Sequence, residues 1–173
     1  GAGNYTDDIN LRGQAYAFFL RSDVAHGTIN SVDTSAAESM PGVVKVFTGA
    51  DFEAVGGMPC GWQVTDRHGQ PMQEPRHPVL AHGKVRHVGE PIAAVVADTL
   101  EQARDAAEAI VFDISELPAV VDMKAAVANS DVKVHDDLTS NLCYDWGFVE
   151  ENKAATDEAF SKAAHVTKLE LVN

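Results

Sequence analysis

Seven histidines, two cysteines and a scatter of carboxylates are the groups in this 173-residue chain that could do chemistry, and their spacing limits what each can do. His77, His82 and His87 recur every five residues with His68 ahead of them, which invites a metal site. Two histidines four apart on a helix converge on one ion. A step of five through a Pro- and Gly-rich stretch does not, and no carboxylate is placed to orient the rings. These histidines are therefore expected to be structural or solvated. Glu90, between Gly89 and Pro91, has the type and setting of a positioned general base, but at the entrance to a strand an exposed acid is expected. Asp7-Asp8 could meet a hard cation; in a surface loop the pair is expected to face water. Gly1-Ala2-Gly3 is too short to cradle a phosphate and follows no strand. Ser22 and Ser35 lack a His and Asp arrangement that would make either a nucleophile. Cys60 and Cys143 fall short of the four thiolates of an iron–sulfur cluster or an all-cysteine zinc site. The expectation is that this chain holds no catalytic, cofactor-binding or metal residue of its own.

The elements that would position these residues are clearest between Lys84 and Asp122. Pro91 to Ala97 is a continuous apolar run, entered through Gly89 and closed by Asp98-Thr99, which predicts a buried strand. Thr99 can accept from the first turn of a following helix while Gln102, three residues on, reaches back to the cap. In that helix Ala103, Ala106, Ala107 and Ile110 fall at i, i+3, i+4 and i+7, a narrow face of small side chains suited to close packing on a sheet. Upstream, Tyr16 to Leu20 and Thr28 to Val32 are strand candidates. Ser35 with Glu38 suggests a second capping box, Pro41-Gly42 a helix stop, Val43 to Phe47 another strand, and Asp51 to Ala54 a helical turn.

From Val55 to Pro78 no usable periodicity remains: four Gly, four Pro, Cys60, Trp62, His68 and His77 lie in one long segment. Loops of this length are usually functional, interfacial or mobile, and a tryptophan in it predicts an interface with further polypeptide. Beyond it, Met123 to Ala128 suggests a helix, Val132 to Val134 a short strand, Ser140 to Gly147 a loop or edge crossing, and Thr156 to Ala164 a last helix with Ala159, Phe160 and Ala163 inward. His165 to Val172 alternates like a strand that lacks a partner. Together with the absence of an initiator Met, this suggests a piece of a longer polypeptide.

Five segments carry a resemblance, in order along nearly the whole chain. They are Gly1-Ala2-Gly3-Asn4-Tyr5-Thr6-Asp7-Asp8-Ile9, Arg21-Ser22-Asp23-Val24-Ala25-His26, Pro41-Gly42-Val43-Val44, Val88-Gly89-Glu90-Pro91-Ile92-Ala93-Ala94-Val95-Val96-Ala97, and Glu116-Leu117-Pro118-Ala119-Val120-Val121-Asp122. In these the chain resembles the first domain of the molybdopterin-binding large subunit of the xanthine dehydrogenase and aldehyde oxidase family, carbon monoxide dehydrogenase large-chain type. The resemblance implies an α+β fold of the α/β-hammerhead kind, a mixed sheet with helices packed on it. From the order of elements the hammerhead is expected at residues 1–139, with residues 140–173 the truncated lead-in to the following molybdopterin-binding domain. The resemblance implies a structural, non-catalytic part of a molybdenum hydroxylase, an oxidoreductase whose large subunit holds molybdopterin with molybdenum. Partner subunits are implied to carry FAD and iron–sulfur clusters. The family often has Gln at the position of Glu90, which argues further against an obligatory acid or base there. The family's cofactor and catalytic residues would lie beyond Asn173.

Composition bounds the rest. Thirteen Lys and Arg against 26 Asp and Glu leave a formal net charge of −13, which opposes a nucleic-acid backbone or an anionic membrane surface. No stretch resembles a signal peptide or a spanning helix, so a cytoplasmic setting is expected. Two alternatives stand beside the scaffold reading. One is a biotinyl- or lipoyl-like carrier modified at Lys124, in the faintly suggestive Asp122-Met123-Lys124-Ala125. The other is a free-standing acidic interaction module.

Overall fold

The computed structural model describes residues 1–128, 131–147 and 152–171. Contacts divide the chain into two compact units. The first comprises Gly1–Pro59 with Pro75–Asn141, the second Cys60–Glu74 with Leu142–Asn173.

The first unit contains six strands and three helices among its described residues: β1 (Tyr16–Arg21), β2 (Gly27–Asp33), α1 (Ser35–Glu38), β3 (Val43–Thr48), β4 (Lys84–Val85), β5 (Pro91–Ala97), α2 (Leu100–Glu108), β6 (Val111–Glu116) and α3 (Met123–Ala128). Two three-stranded sheets form, ordered β1-β5-β3 and β4-β2-β6. Every pairing among the named strands is antiparallel, so the sheet expected to be mixed is two antiparallel sheets. The reason lies at the end of α2. Only Ala109 and Ile110 separate it from β6, which joins β2 in the other sheet instead of returning beside β5 as a parallel neighbour.

The apolar run of β5 follows from its central place. Ala93, Val95 and Ala97 face α2, whose Ala103, Ala106 and Ala107 are buried against them, and Ile110 joins the same cluster just past the helix end. On the other side Ile92 packs with Ala81 and Val85, and with Ile29, Phe112 and Ile114 of the second sheet. A strand covered on both faces has no position left for a polar side chain. The capping box of α2 forms as expected: Thr99 Oγ1 accepts from the Gln102 N–H at 3.2 Å, and Gln102 Oε1 accepts from the Thr99 N–H at 3.1 Å. Pro91 stands at the first position of β5, where a missing N–H costs least.

Several expected elements differ. The capping box at Ser35 does not form; Ser35 turns its N–H to Asp33 Oδ1, and Thr34 Oγ1 donates to Glu38 instead. Asp51 to Ala54 lies within a longer 3-10 turn, Gly49–Val55, in which Asp51 accepts from the Thr48 N–H at 2.7 Å. Val132 to Val134 is not a strand. The Asn141 side chain takes over the pairing, accepting from the Val134 N–H and donating to the Val132 carbonyl.

In the second unit, residues 60–74 are more ordered than their sequence suggests. Thr65 and Pro71 bridge across a turn whose N–H groups at His68 and Gln70 both donate to Asp66 Oδ1. The Arg67 N–H donates to the Asp145 carbonyl and the Gln73 N–H to the Cys143 carbonyl, so residues 142–147 line this hairpin as a backbone partner. Trp62 remains 80% exposed. The last helix, α4 (Lys153–Lys162), starts three residues before the expected Thr156, and its supposed inward face is open, with Phe160 62% exposed. Residues 165–171 form no strand and their apolar side chains at Val166, Leu169 and Leu171 are exposed; Val172, the last residue of that expected strand, lies outside the described residues.

Candidate functional site

The residues singled out for chemistry do not assemble into one centre, but several of them meet at the entrance to β5. Backbone bonds there tie two distant segments: the Ser22 N–H donates to the Glu90 carbonyl at 2.9 Å and the Gly89 N–H to the Ser22 carbonyl at 2.7 Å. Arg21 Nη1 adds a bond to the Gly89 carbonyl at 2.8 Å. Gly89 adopts φ +85°, which only glycine takes without strain, and the Glu90 N–H closes a turn onto the His87 carbonyl.

That turn sends the Glu90 side chain inward. It is 4% exposed, so the expectation of an exposed acid is corrected. Its Oε2 accepts from the Arg86 N–H at 2.5 Å and lies 3.8 Å from His87 Nδ1. A general base needs its oxygen within reach of a substrate proton. This one is used on backbone and fixes the turn.

Beside Glu90 opens a cleft of about 370 Å³, into whose lining the fold brings His77 and His87 together with His135, Arg76 and Arg86. The five-residue step was expected to keep His77 and His87 apart, yet both line this cleft, and His135, 45 or more residues away, could not be placed there by local pattern. Burial, and then the nearby Arg86 charge, hold the His135 pKa below its ordinary value, against the opposing pull of Asp137, Glu90 and Asp136. Asp136 itself is paired with Lys84 at 2.5 Å, which lowers its pKa. His68 sits in the second unit, and His82 lines a smaller pocket that shares Arg76, Pro78 and Arg86 with the cleft. Among the described residues no group of three or more His, Cys, Asp or Glu is placed to hold a metal ion.

The other candidates have local tasks. Asp8 Oδ2 accepts from the Tyr5 N–H at 2.9 Å and closes a 3-10 turn at Thr6–Asp8. Ser22 is buried, its Oγ exchanging bonds with the Val24 backbone. His26, which the sequence reading did not single out, is buried with Nδ1 2.8 Å from the Pro118 carbonyl; the Leu117 N–H donates to the His26 carbonyl. The segments Arg21–His26, Val88–Ala97 and Glu116–Asp122 are therefore joined at one place. Lys124 is the second residue of α3, whose first turn Asp122 caps by accepting from the Ala125 N–H at 2.7 Å; it does not stand at the tip of a hairpin. Cys60 and Cys143 are both exposed free thiols.

Comparison with known proteins gives this arrangement its context. Residues 1–118 match the family model described as "Aldehyde oxidase and xanthine dehydrogenase, a/b hammerhead domain". The chain is 36% identical over 169 residues to the nicotine 6-hydroxylase large subunit of Paenarthrobacter nicotinovorans, covering 96% of this chain and 19% of that protein. Among solved structures, quinoline 2-oxidoreductase from Pseudomonas putida 86 superimposes with a TM-score of 0.72 at 36% identity, over 82% of this chain and 17% of that one. The Cu,Mo-CO dehydrogenase superimposes with a TM-score of 0.71 at 30% identity, over 94% and 21%. The chain thus spans about a fifth of the length of the relatives it matches. No helix among the described residues is long and apolar enough to cross a membrane. On the match over most of its length and on the fold it shares with these enzymes, the chain belongs to the aldehyde oxidase and xanthine dehydrogenase family, of which it carries the a/b hammerhead domain.

Proposed function

We propose that this chain is the structural N-terminal hammerhead of the large subunit of a molybdenum hydroxylase, without catalytic activity by itself. The observation that carries this reading is Glu90. The carboxylate best placed in the sequence to act as a base is buried and bonded to the Arg86 backbone, where it braces the fold. The molybdopterin with its molybdenum belongs to the rest of the large subunit, where it supplies the redox chemistry. Within this chain the side chains weighed as cation ligand, nucleophile and base are engaged locally: Asp8 at the Tyr5 turn, Ser22 at Val24 and Glu90 at Arg86. No step is assigned through the cofactor to a residue of this chain. FAD and iron–sulfur clusters are assigned to partner subunits, and the assembly to the cytoplasm.

The domain boundary is placed near Thr139, with 1–139 as the hammerhead and 140–173 as the lead-in to the molybdopterin-binding domain. Exposed Trp62, Trp146 and Phe160 support the view that residues around the second unit meet further polypeptide. The test has two readouts on the isolated chain. Assays for dye-coupled oxidation of nicotine, quinoline or carbon monoxide are expected to give no turnover, and the intact mass is expected to equal that of the unmodified sequence. Turnover by the isolated chain would overturn the scaffold reading, and a biotinyl or lipoyl mass on Lys124 would favour the carrier instead.

A further inference from the structure

The cleft beside Glu90 is not used by the scaffold role, and its charges are unbalanced. Arg76 Nη2 donates to the carbonyls of Glu53 and Gly56 at 3.0 and 3.2 Å, and Arg86 Nη1 to the Lys84 carbonyl at 3.4 Å. Among the described residues neither guanidinium has a carboxylate partner in an ion pair. Arg86 Nε is moreover enclosed without any hydrogen-bond partner. A half-buried arginine held only by carbonyls keeps its full charge, and the strongest partner for such a group is an oxyanion. The one carboxylate in the lining, Glu90, is turned to a backbone N–H. Within the lining itself, two guanidiniums against one carboxylate leave a single positive charge; just outside it Asp136 is paired with Lys84, and Asp137 acts on His135.

The walls narrow the class of ligand. Pro75, Pro78 and Val134 complete the lining, and the space, about 370 Å³, is larger than a bare oxyanion needs. Apolar walls with a few placed polar groups are the ordinary make-up of a small-molecule site. Glu90 also works against a dianion, whose second charge would have no counterpart. We infer that this cleft is a binding site for a small aromatic monocarboxylate, its carboxylate held by Arg86 and its ring packed between the proline and valine walls beside the His87 and His135 imidazoles. Burial and then the Arg86 charge hold the His135 pKa down against the pull of Asp137, Glu90 and Asp136, which agrees with a guanidinium close to that ring.

The experiment is an NMR titration of the 173-residue chain, reading the imidazole resonances of His87 and His135. Benzoate is expected to shift both saturably. Benzamide, the neutral isostere, and inorganic phosphate, which has no ring, are each expected to bind at least tenfold more weakly. Arg86→Met is expected to lose at least tenfold in benzoate affinity, and Arg86→Lys to retain most of it. Val134→Trp, which fills the cleft without changing its charges, provides a second variant should Arg86→Met fail to fold, and is expected to abolish the shifts. Equal binding of benzamide or phosphate, or undiminished benzoate binding in either folded variant, would overturn the assignment.

Discussion

Glu90 illustrates how far the fate of a single residue depends on a turn its neighbours alone do not reveal. Its type and setting suggested an exposed acid, and only the return of the chain at Gly89, tied to Ser22 from the other end of the domain, makes it a buried brace. Glu90→Ala should leave the Arg86 N–H without its acceptor and cost about 1–3 kcal/mol, while Glu90→Gln keeps an oxygen there and should cost less. Urea denaturation of the two variants measures the difference; equal losses would contradict the bracing role. His135 offers a pH readout. Its folded-state pKa lies below the ordinary 6.5, so the unfolded chain binds the proton more tightly. The stability from the neutral ring is complete above that value and is lost as pH falls through the folded-state pKa. Melting temperature should therefore drop on acidification from pH 7.5 toward 5.5, and His135→Gln should reduce the drop. An unchanged drop would place the sensitivity elsewhere. His26 and His135 escaped the sequence because each is defined by a partner far along the chain, Pro118 for one and Arg86 for the other.

Elements were most legible where local signals agreed with burial. The β5–α2 passage has its cap, its apolar strand and its alanine face where the spacing puts them, and all three are used in the fold. Thr99→Ala should remove the cap bond to Gln102 at a cost of about 1 kcal/mol. Ala107→Leu should cost about 1–3 kcal/mol by forcing α2 off the sheet; a variant that melts like the wild type would contradict the inward face. A tighter contact occurs where the turn at Gly49 crosses residues 81 and 82. A Cβ on Gly49 would stand 2.3 Å from the Ala81 carbonyl oxygen, so Gly49→Ala should be clearly destabilising in the same thermal assay. Alternation alone was a poorer guide. Residues 132–134 and 165–171 have strand-like patterns but form no strand: the first is paired by the Asn141 side chain, and the apolar side chains of the second are exposed. A strand needs a neighbour as much as a pattern, and the neighbour is not a local property. The same limit hid the two-sheet division, since the switch of β6 to the other sheet is a matter of pairing and not of composition.

For the whole molecule, the family and the α+β hammerhead fold could be read from five short segments because three of them meet at one structural junction, Arg21–His26, Val88–Ala97 and Glu116–Asp122. The junction ties both sheets to the exit of β6, so these segments share one structural task. Less legible was the second unit. Residues 60–74 are organised by residues 142–147, and nothing within either stretch announces the other. The role proposed for this chain is that of a brace within a larger molybdenum-containing subunit, with the chemistry carried elsewhere. The most direct measurement is on the native polypeptide that contains this sequence, purified from its source, with its intact mass and molybdenum content determined together. The account requires a polypeptide several times longer than 173 residues with molybdenum bound in stoichiometric amount. A native polypeptide of 173 residues that oxidises a substrate without molybdenum would contradict it.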